Sequence, residues 1–256
     1  MTDLLGATVD ARWLLVAVTV FAAGFMRGFI GFGAALVSVP IMSLVIGPQV
    51  AVAVVNLMGV PSLMQLLPEA IRGSEHRFVA PMCLTAFFIT PIGTWLLVAA
   101  DPAVMKIAIS VLVLVMVGFL AAGWMPKKEV PRAGLMTAGV FSGLIQGIAG
   151  MGGPPVVGLA LSRPGTPQQQ RANVLALMAG VSMSSVIPMY YFGLFTKHAV
   201  LLSLALFPLY SGATWLGSRH FHRGGAAYYR RAALTILACV GVGALLSAIR
   251  GYFVGG

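Results

Sequence analysis

Arg27 sits inside an apolar run, in the string GFMRGFIGFG from Gly24 to Gly33. A charge at membrane depth is expensive to bury and by default marks a functional site. Its planar guanidinium is built to grip an oxyanion or carboxylate through two parallel hydrogen bonds. A second string, GLIQGIAGMG from Gly143 to Gly152, repeats the glycine spacing. Gly24, Gly28, Gly31 and Gly33 become Gly143, Gly147, Gly150 and Gly152, each 119 positions later. Gln146 then takes the place of Arg27 and offers a neutral donor.

Both strings read as helix breaks. Non-helical backbone at membrane depth must be buried in protein or line a wet cavity, because lipid supplies no hydrogen bonds. After the second break, Gly153 leads into Pro154 and Pro155, residues suited to a helix's first turn. A restarting helix presents unpaired N–H groups and positive dipole charge, and glycine lets a ligand approach the backbone. Gly31, Gly33, Gly150, Gly152 and Gly153 are therefore candidate contacts for an anion, with Arg27 and Gln146 beside them. Gly24, Gly28, Gly143 and Gly147 are also small-xxx-small pairs, and for these four helix packing is the better reading. Asn56 and Asn173 join the candidate set as secondary polar residues. Ser62, Gln65, Ser182, Ser184 and Ser185 belong more to hydrogen bonds between helices.

The elements that must carry these residues are membrane helices. Of the 256 residues, 59% are hydrophobic and 9% charged, whereas a soluble domain carries about a quarter of its residues as charges. Apolar runs fall near 12–46, 50–69, 78–99, 103–124, 133–162, 172–192, 198–218 and 228–249. Six have the length of one span, about 20 residues. The first and fifth are too long, and those are the two with glycine breaks. The repeat extends further: Pro48-Gln49 matches Pro167-Gln168, and Thr94-Trp95-Leu96 matches Thr214-Trp215-Leu216. One membrane domain over 1–256, with repeats of about 12–124 and 133–250, accounts for the pattern.

Loop charges decide what the long runs do. If each crosses once, Lys and Arg divide almost evenly between the two sides. If each is a hairpin that leaves on the side it entered, one side holds Arg72, Arg77, Lys127, Lys128, Arg132, Arg163, Arg171, Arg219, Arg223, Arg230 and Arg231. The other side then keeps Arg12, Lys106, Lys197 and Arg250. That is a strong positive-inside bias. The expected fold is an all-α polytopic membrane protein with two inverted repeats, each a re-entrant helical hairpin plus three transmembrane helices. Both termini are then periplasmic, and Arg163 and Arg171 sit beside the second hairpin's exit, where they could form an inner vestibule, although cytoplasmic anchors are the favoured reading. Inverted repeats with broken helices bind substrate where the repeats meet. Trp13, Trp95, Trp124, Trp215 and Tyr228-Tyr229 fall near span ends, as interfacial aromatics do.

Several function classes drop out. The net charge of +10 is scattered through short loops, where it meets lipid headgroups rather than forming a basic face for nucleic acid. Cys83 and Cys239 lie in apolar runs, and no cofactor, metal cluster, catalytic triad or phosphate loop is expected, so the chain does not read as an enzyme. The acids Asp3, Asp10, Glu69, Glu75, Asp101 and Glu129 all lie near termini or loops. With no carboxylate at mid-membrane to neutralise a cation, the guest is an anion.

At GFMRGFIGFGAALVSVP and SGLIQGIAGMGGPPVV the sequence resembles the sulfite exporter TauE/SafE family, also called the four-toluene-sulfonate uptake permease family. The resemblance runs over nearly the whole chain. It implies an inner-membrane transporter of sulfite, sulfoacetate or other sulfonates, some relatives exporting and others taking up. It also makes Gly150 to Pro155 the signature loop. The first half has Ala34-Ala35 where the second has Gly153-Pro154, so the two loops are not equivalent. The combined reading is alternating-access transport of a small organosulfur anion, with export favoured. The alternatives are an uptake permease for a sulfonate or carboxylate, and a membrane scaffold without flux. The partners are the small anion and membrane lipid, and a homo-oligomer is compatible with the pattern.

Overall fold

The computed structural model describes residues 11–30, 32–122 and 130–221. Gly31, Trp124, the Tyr228-Tyr229 pair and the eighth apolar run lie outside the described residues, as do the side chains of Ser62 and Gln65. The described chain is α-helical throughout: α1 (Ala11–Ile30), α2 (Ala34–Ile46), α3 (Pro48–Gly73), α4 (His76–Ala99), α5 (Pro102–Ala121), α6 (Arg132–Ala149), α7 (Gly153–Ser162), α8 (Pro167–Ser184), α9 (Val186–Tyr191) and α10 (Lys197–Phe221). Five of these, with α8 and α9 taken together, are long and apolar enough to cross a membrane, or six if the two limbs of bent α3 form one span. The protein is a polytopic helical membrane protein.

Both glycine strings break their helices. Gly33, at φ 95°, closes the first break and Gly150, at φ 65°, opens the second. Only glycine takes such angles without cost.

The route of the chain follows from a few contacts. The α3–α4 corner carries Glu75 and the α4–α5 corner carries Asp101, so these residues name the two faces. Gln49 reaches the carbonyls of Leu97 and Val98 at 3.4 and 3.5 Å, which puts the start of α3 on the Asp101 face. Helix α6 runs parallel to α4, because Gly139 abuts Met82 and Thr85, Gly143 abuts Ala86, and Gly147 abuts Thr90, Gly93 and Thr94. It therefore starts on the Glu75 face. Helix α7 ends there too, where Arg163 pairs with Glu75. The second long run is a hairpin.

The first run obeys the same logic. Helix α10 runs from the Asp101 face, and α1 lies parallel to it: Gly24 against Tyr210 and Ala213, Gly28 against Thr214 and Ser218. Thus α1 starts, and α2 ends, on the Asp101 face. The two hairpins enter from opposite sides, and each packs its first helix on a helix of the other repeat. Small residues make that approach possible. A Cβ on Gly28 would lie 1.9 Å from the Thr214 carbonyl oxygen, and one on Gly147 2.3 Å from that of Thr90.

Two runs expected as plain rods are not. Helix α3 bends by 68° between Pro48–Pro61 and Leu66–Gly73. The sixth run divides at Ser185 into α8 and α9. Prolines are the physical reason, since Pro61 offers no N–H to Leu57 and Pro188 none to Ser184. Pro68 and Pro188 are repeat partners, 120 positions apart. Beside each hairpin, then, the central helix of the opposite repeat is itself interrupted.

Candidate functional site

Gly147 meets α4, and Gly28 meets α10, in the last third of each helix. Each hairpin tip therefore reaches past the middle of the protein, and the two pass one another. They come close together: a Cβ on Gly153, at the start of α7, would lie 3.9 Å from Cβ of Phe32 in the first break. Phe32 was not singled out in the sequence, because an aromatic among apolar residues carries no signal.

The second break is held by a buried polar network. Gln146, 3% exposed, accepts the Gly152 N–H on its Oε1 at 3.0 Å. Its Nε2 donates to Asn56 Oδ1 at 3.0 Å and to Ser185 Oγ at 3.2 Å. Ser185 also donates to Asn56 Oδ1 at 2.9 Å, while Asn56 donates to the Val52 carbonyl at 2.9 Å. From one α6 turn earlier, Ser142 donates to the Gly152 carbonyl. A buried network of this kind rigidifies its surroundings. Gln146 has every donor and acceptor in use, so in this conformation it braces the turn. Ser142 was not singled out in the sequence, although its spacing of four from Gln146 puts both on one helix face.

The first break is built differently. Arg27 lies in the last turn of α1. Its Nη1 would be 3.7 Å from a Cβ on Gly59 of α3, one turn along from Asn56. Its Nε is buried and meets no hydrogen-bond partner among the described residues. Leu63, Leu66, Leu67, Ala70, Leu175, Met178 and Ala179 complete its walls. The space between them is too narrow here for a water-sized body. An unpartnered buried donor in an apolar pocket calls for an explanation, since nearly all such groups are paired in native proteins.

Arg171 corrects an expectation. It is no solvated anchor: it is 4% exposed and its Nη2 donates to the Gly28 carbonyl at 3.1 Å. A cation there caps the C-terminal end of α1, where carbonyls lack helical partners and the dipole is negative. Its place one turn inside α8 hid this, because arginines near span ends are ordinarily interfacial. Arg163 does lie at the Glu75 face, paired with Glu75 and 4.9 Å over the Phe78 ring.

The structure thus gathers Arg27, Gly33, Asn56, Gln146, Gly150, Gly152 and Gly153 around the two breaks. Gly150 faces Asn56, whose Nδ2 lies 2.8 Å from where a Cβ would be. Gly33 packs toward Met26. Asn173 is elsewhere. Its Oδ1 accepts the Glu75 N–H at 2.7 Å on the Glu75 face, because α8 runs antiparallel to α3 and carries residues near its start away from Asn56. Among the described residues no cluster of His, Cys, Asp or Glu is arranged to hold a metal ion.

Comparisons with known proteins point to one family. The sequence model of the sulfite exporter TauE/SafE family matches residues 16–244. The chain is 24% identical over 234 residues to the probable sulfite/organosulfonate exporter TauE of Cupriavidus necator, covering 89% of this chain and 91% of that relative. No solved structure matches. A match over most of the length, with the two glycine breaks inside it, settles the assignment: the chain belongs to the sulfite exporter TauE/SafE family.

Proposed function

We propose that this protein exports a small sulfur oxyanion, sulfite or an organosulfonate, across a bacterial inner membrane by alternating access. The observation that carries the reading is the close approach of Phe32 and Gly153 beside Arg27, whose buried Nε has no hydrogen-bond partner among the described residues. A guanidinium supplies paired donors to the anion's oxygens. The dipoles of α2 and α7, whose N-terminal ends lie at the breaks, add positive potential from the backbone. The braced second hairpin serves as the fixed wall, with Gln146 and Asn56 lending donors only when the network loosens. The first hairpin, holding Arg27, is the limb that closes on the guest. Asn173 contributes from the Glu75 face, through its hold on the corner there.

Orientation follows from charge. Arg72, Arg77, Arg132, Arg163 and Arg219 belong to the Glu75 face, against Arg12, Lys106 and Lys197 toward the other. The Glu75 face is then cytoplasmic and the N-terminus periplasmic. Export follows the relative's description.

The test is flux in oriented proteoliposomes, with sulfite, sulfoacetate, isethionate, taurine and small carboxylates in turn. The expected result is saturable movement of a sulfur oxyanion from the Glu75 face, and a raised melting temperature with that anion by mass action. Net movement only in the opposite direction would make the protein an uptake permease. Absence of any flux would leave a membrane scaffold.

A further inference from the structure

We propose that Arg163 is the first anion-binding group met from the Glu75 face, and that the Glu75 carboxylate occupies it as an internal stand-in for the substrate while that face is closed. The inference rests on the export reading above and concerns a residue far along α7 from the two breaks.

Arg163 ends α7, the returning limb of the second hairpin. Its guanidinium pairs with Glu75, and both side chains are 27% exposed. Water and a dissolved anion therefore reach the pair. Three further contacts hold the parts in place. Gln170 donates to the Arg163 carbonyl at 2.7 Å, the Phe78 ring lies under the guanidinium, and Asn173 accepts the Glu75 N–H at 2.7 Å while its Nδ2 reaches the Glu75 carboxylate at a longer 3.4 Å. If the carboxylate is displaced, the guanidinium keeps its aromatic platform and the corner keeps its backbone tie. A carboxylate and a sulfonate or sulfite offer the same fork of oxygens to arginine, so one can replace the other without rebuilding the site.

The opposite face is made differently. The repeat partners of Arg163, Glu75 and Asn173, at offsets of 119 to 120, are Leu44, Leu194 or Phe195, and Val54. The ion pair of the first mouth has no charged counterpart at the repeat-equivalent positions of the second. An anion arriving at the first has a charge to compete for. The equivalent positions at the second carry no charge, and this difference gives the protein a preferred loading side.

The experiment compares Glu75→Gln with Arg163→Gln, measuring initial flux against anion concentration from the Glu75 face. The first variant keeps the backbone hydrogen bond to Asn173 but removes the competing charge. The expected result is opposite shifts: KM lowered roughly threefold in E75Q and raised roughly threefold in R163Q, the scale of a part-exposed ion pair. Arg132→Gln, exposed on the same face, should leave KM unchanged. If the pair merely staples the corner, both variants lose the same contact and shift together. Shifts of one sign, or none, overturn the proposal while wild-type flux upholds the transport reading. A wild type that carries no anion refutes that reading, and this proposal with it.

Discussion

Replacing Arg27 with alanine should abolish most transport while leaving the protein folded. The side chain's Nε has no hydrogen-bond partner among the described residues, so its removal orphans no neighbour that the structure reveals. In the loaded state, however, it is the charged donor to a largely desolvated anion. Truncating one member of such a pair costs about 2–5 kcal/mol, and at about 1.4 kcal/mol per decade the central value is over a hundredfold in kcat/KM. Lysine should recover only part of this, because it restores the charge without the planar fork. Flux and thermal unfolding of the same detergent-purified samples separate the two effects. A variant with wild-type flux removes Arg27 from the site, and one that fails to fold gives the arginine a structural role.

The second large effect concerns folding. Gly28 and Gly147 hold α1 and α6 against helices of the other repeat, where any Cβ would sit well inside contact distance of a carbonyl oxygen. Overpacking of this kind costs about 1–3 kcal/mol even for one methyl group when the backbone can yield. Here the obstacle is backbone, so Gly28→Ala and Gly147→Ala should each lower stability by at least that upper value, and leucine should prevent assembly. Gly212→Ala is the control. It lies on α10 with nothing within 4 Å of the added methyl, and alanine favours a helix over glycine by about 0.5–1 kcal/mol. Equal melting temperatures for G28A and G212A would show that the two repeats do not interlock through these glycines.

These two residues also mark how far the sequence could be read. The repeat was legible because four glycines recur with identical spacing at an offset of 119, a pattern more specific than apolar composition. The hairpins were legible through loop charge alone, since reversing a run's path changes the side of every later arginine. The bend in α3 and the division at Ser185 were not. Proline within a membrane helix leaves the hydropathy of the run untouched, and only neighbouring helices decide whether it kinks.

In the site, Arg27 stood out because a buried charge is costly wherever it lies. Gln146 did not reveal its present use. An amide offers both a donor and an acceptor, and only the folded turn shows that one end holds the Gly152 N–H while the other holds Asn56 and Ser185. Arg171 was misread because position along a helix does not say which neighbour covers it. Asn173 was grouped with Asn56 by residue type, although inversion of the repeats sends them to different depths.

Contact between the two hairpin tips is open to a direct chemical test. With Cys83 and Cys239 changed to alanine, Phe32→Cys and Gly153→Cys place two thiols on Cβ atoms about 3.9 Å apart, within the range a disulfide spans. Mild oxidation of membranes should cross-link them in high yield, stop anion flux, and allow flux to return on reduction. Failure to form the bridge, or a bridged protein that transports as fast as the reduced one, would contradict a site assembled where the two breaks meet.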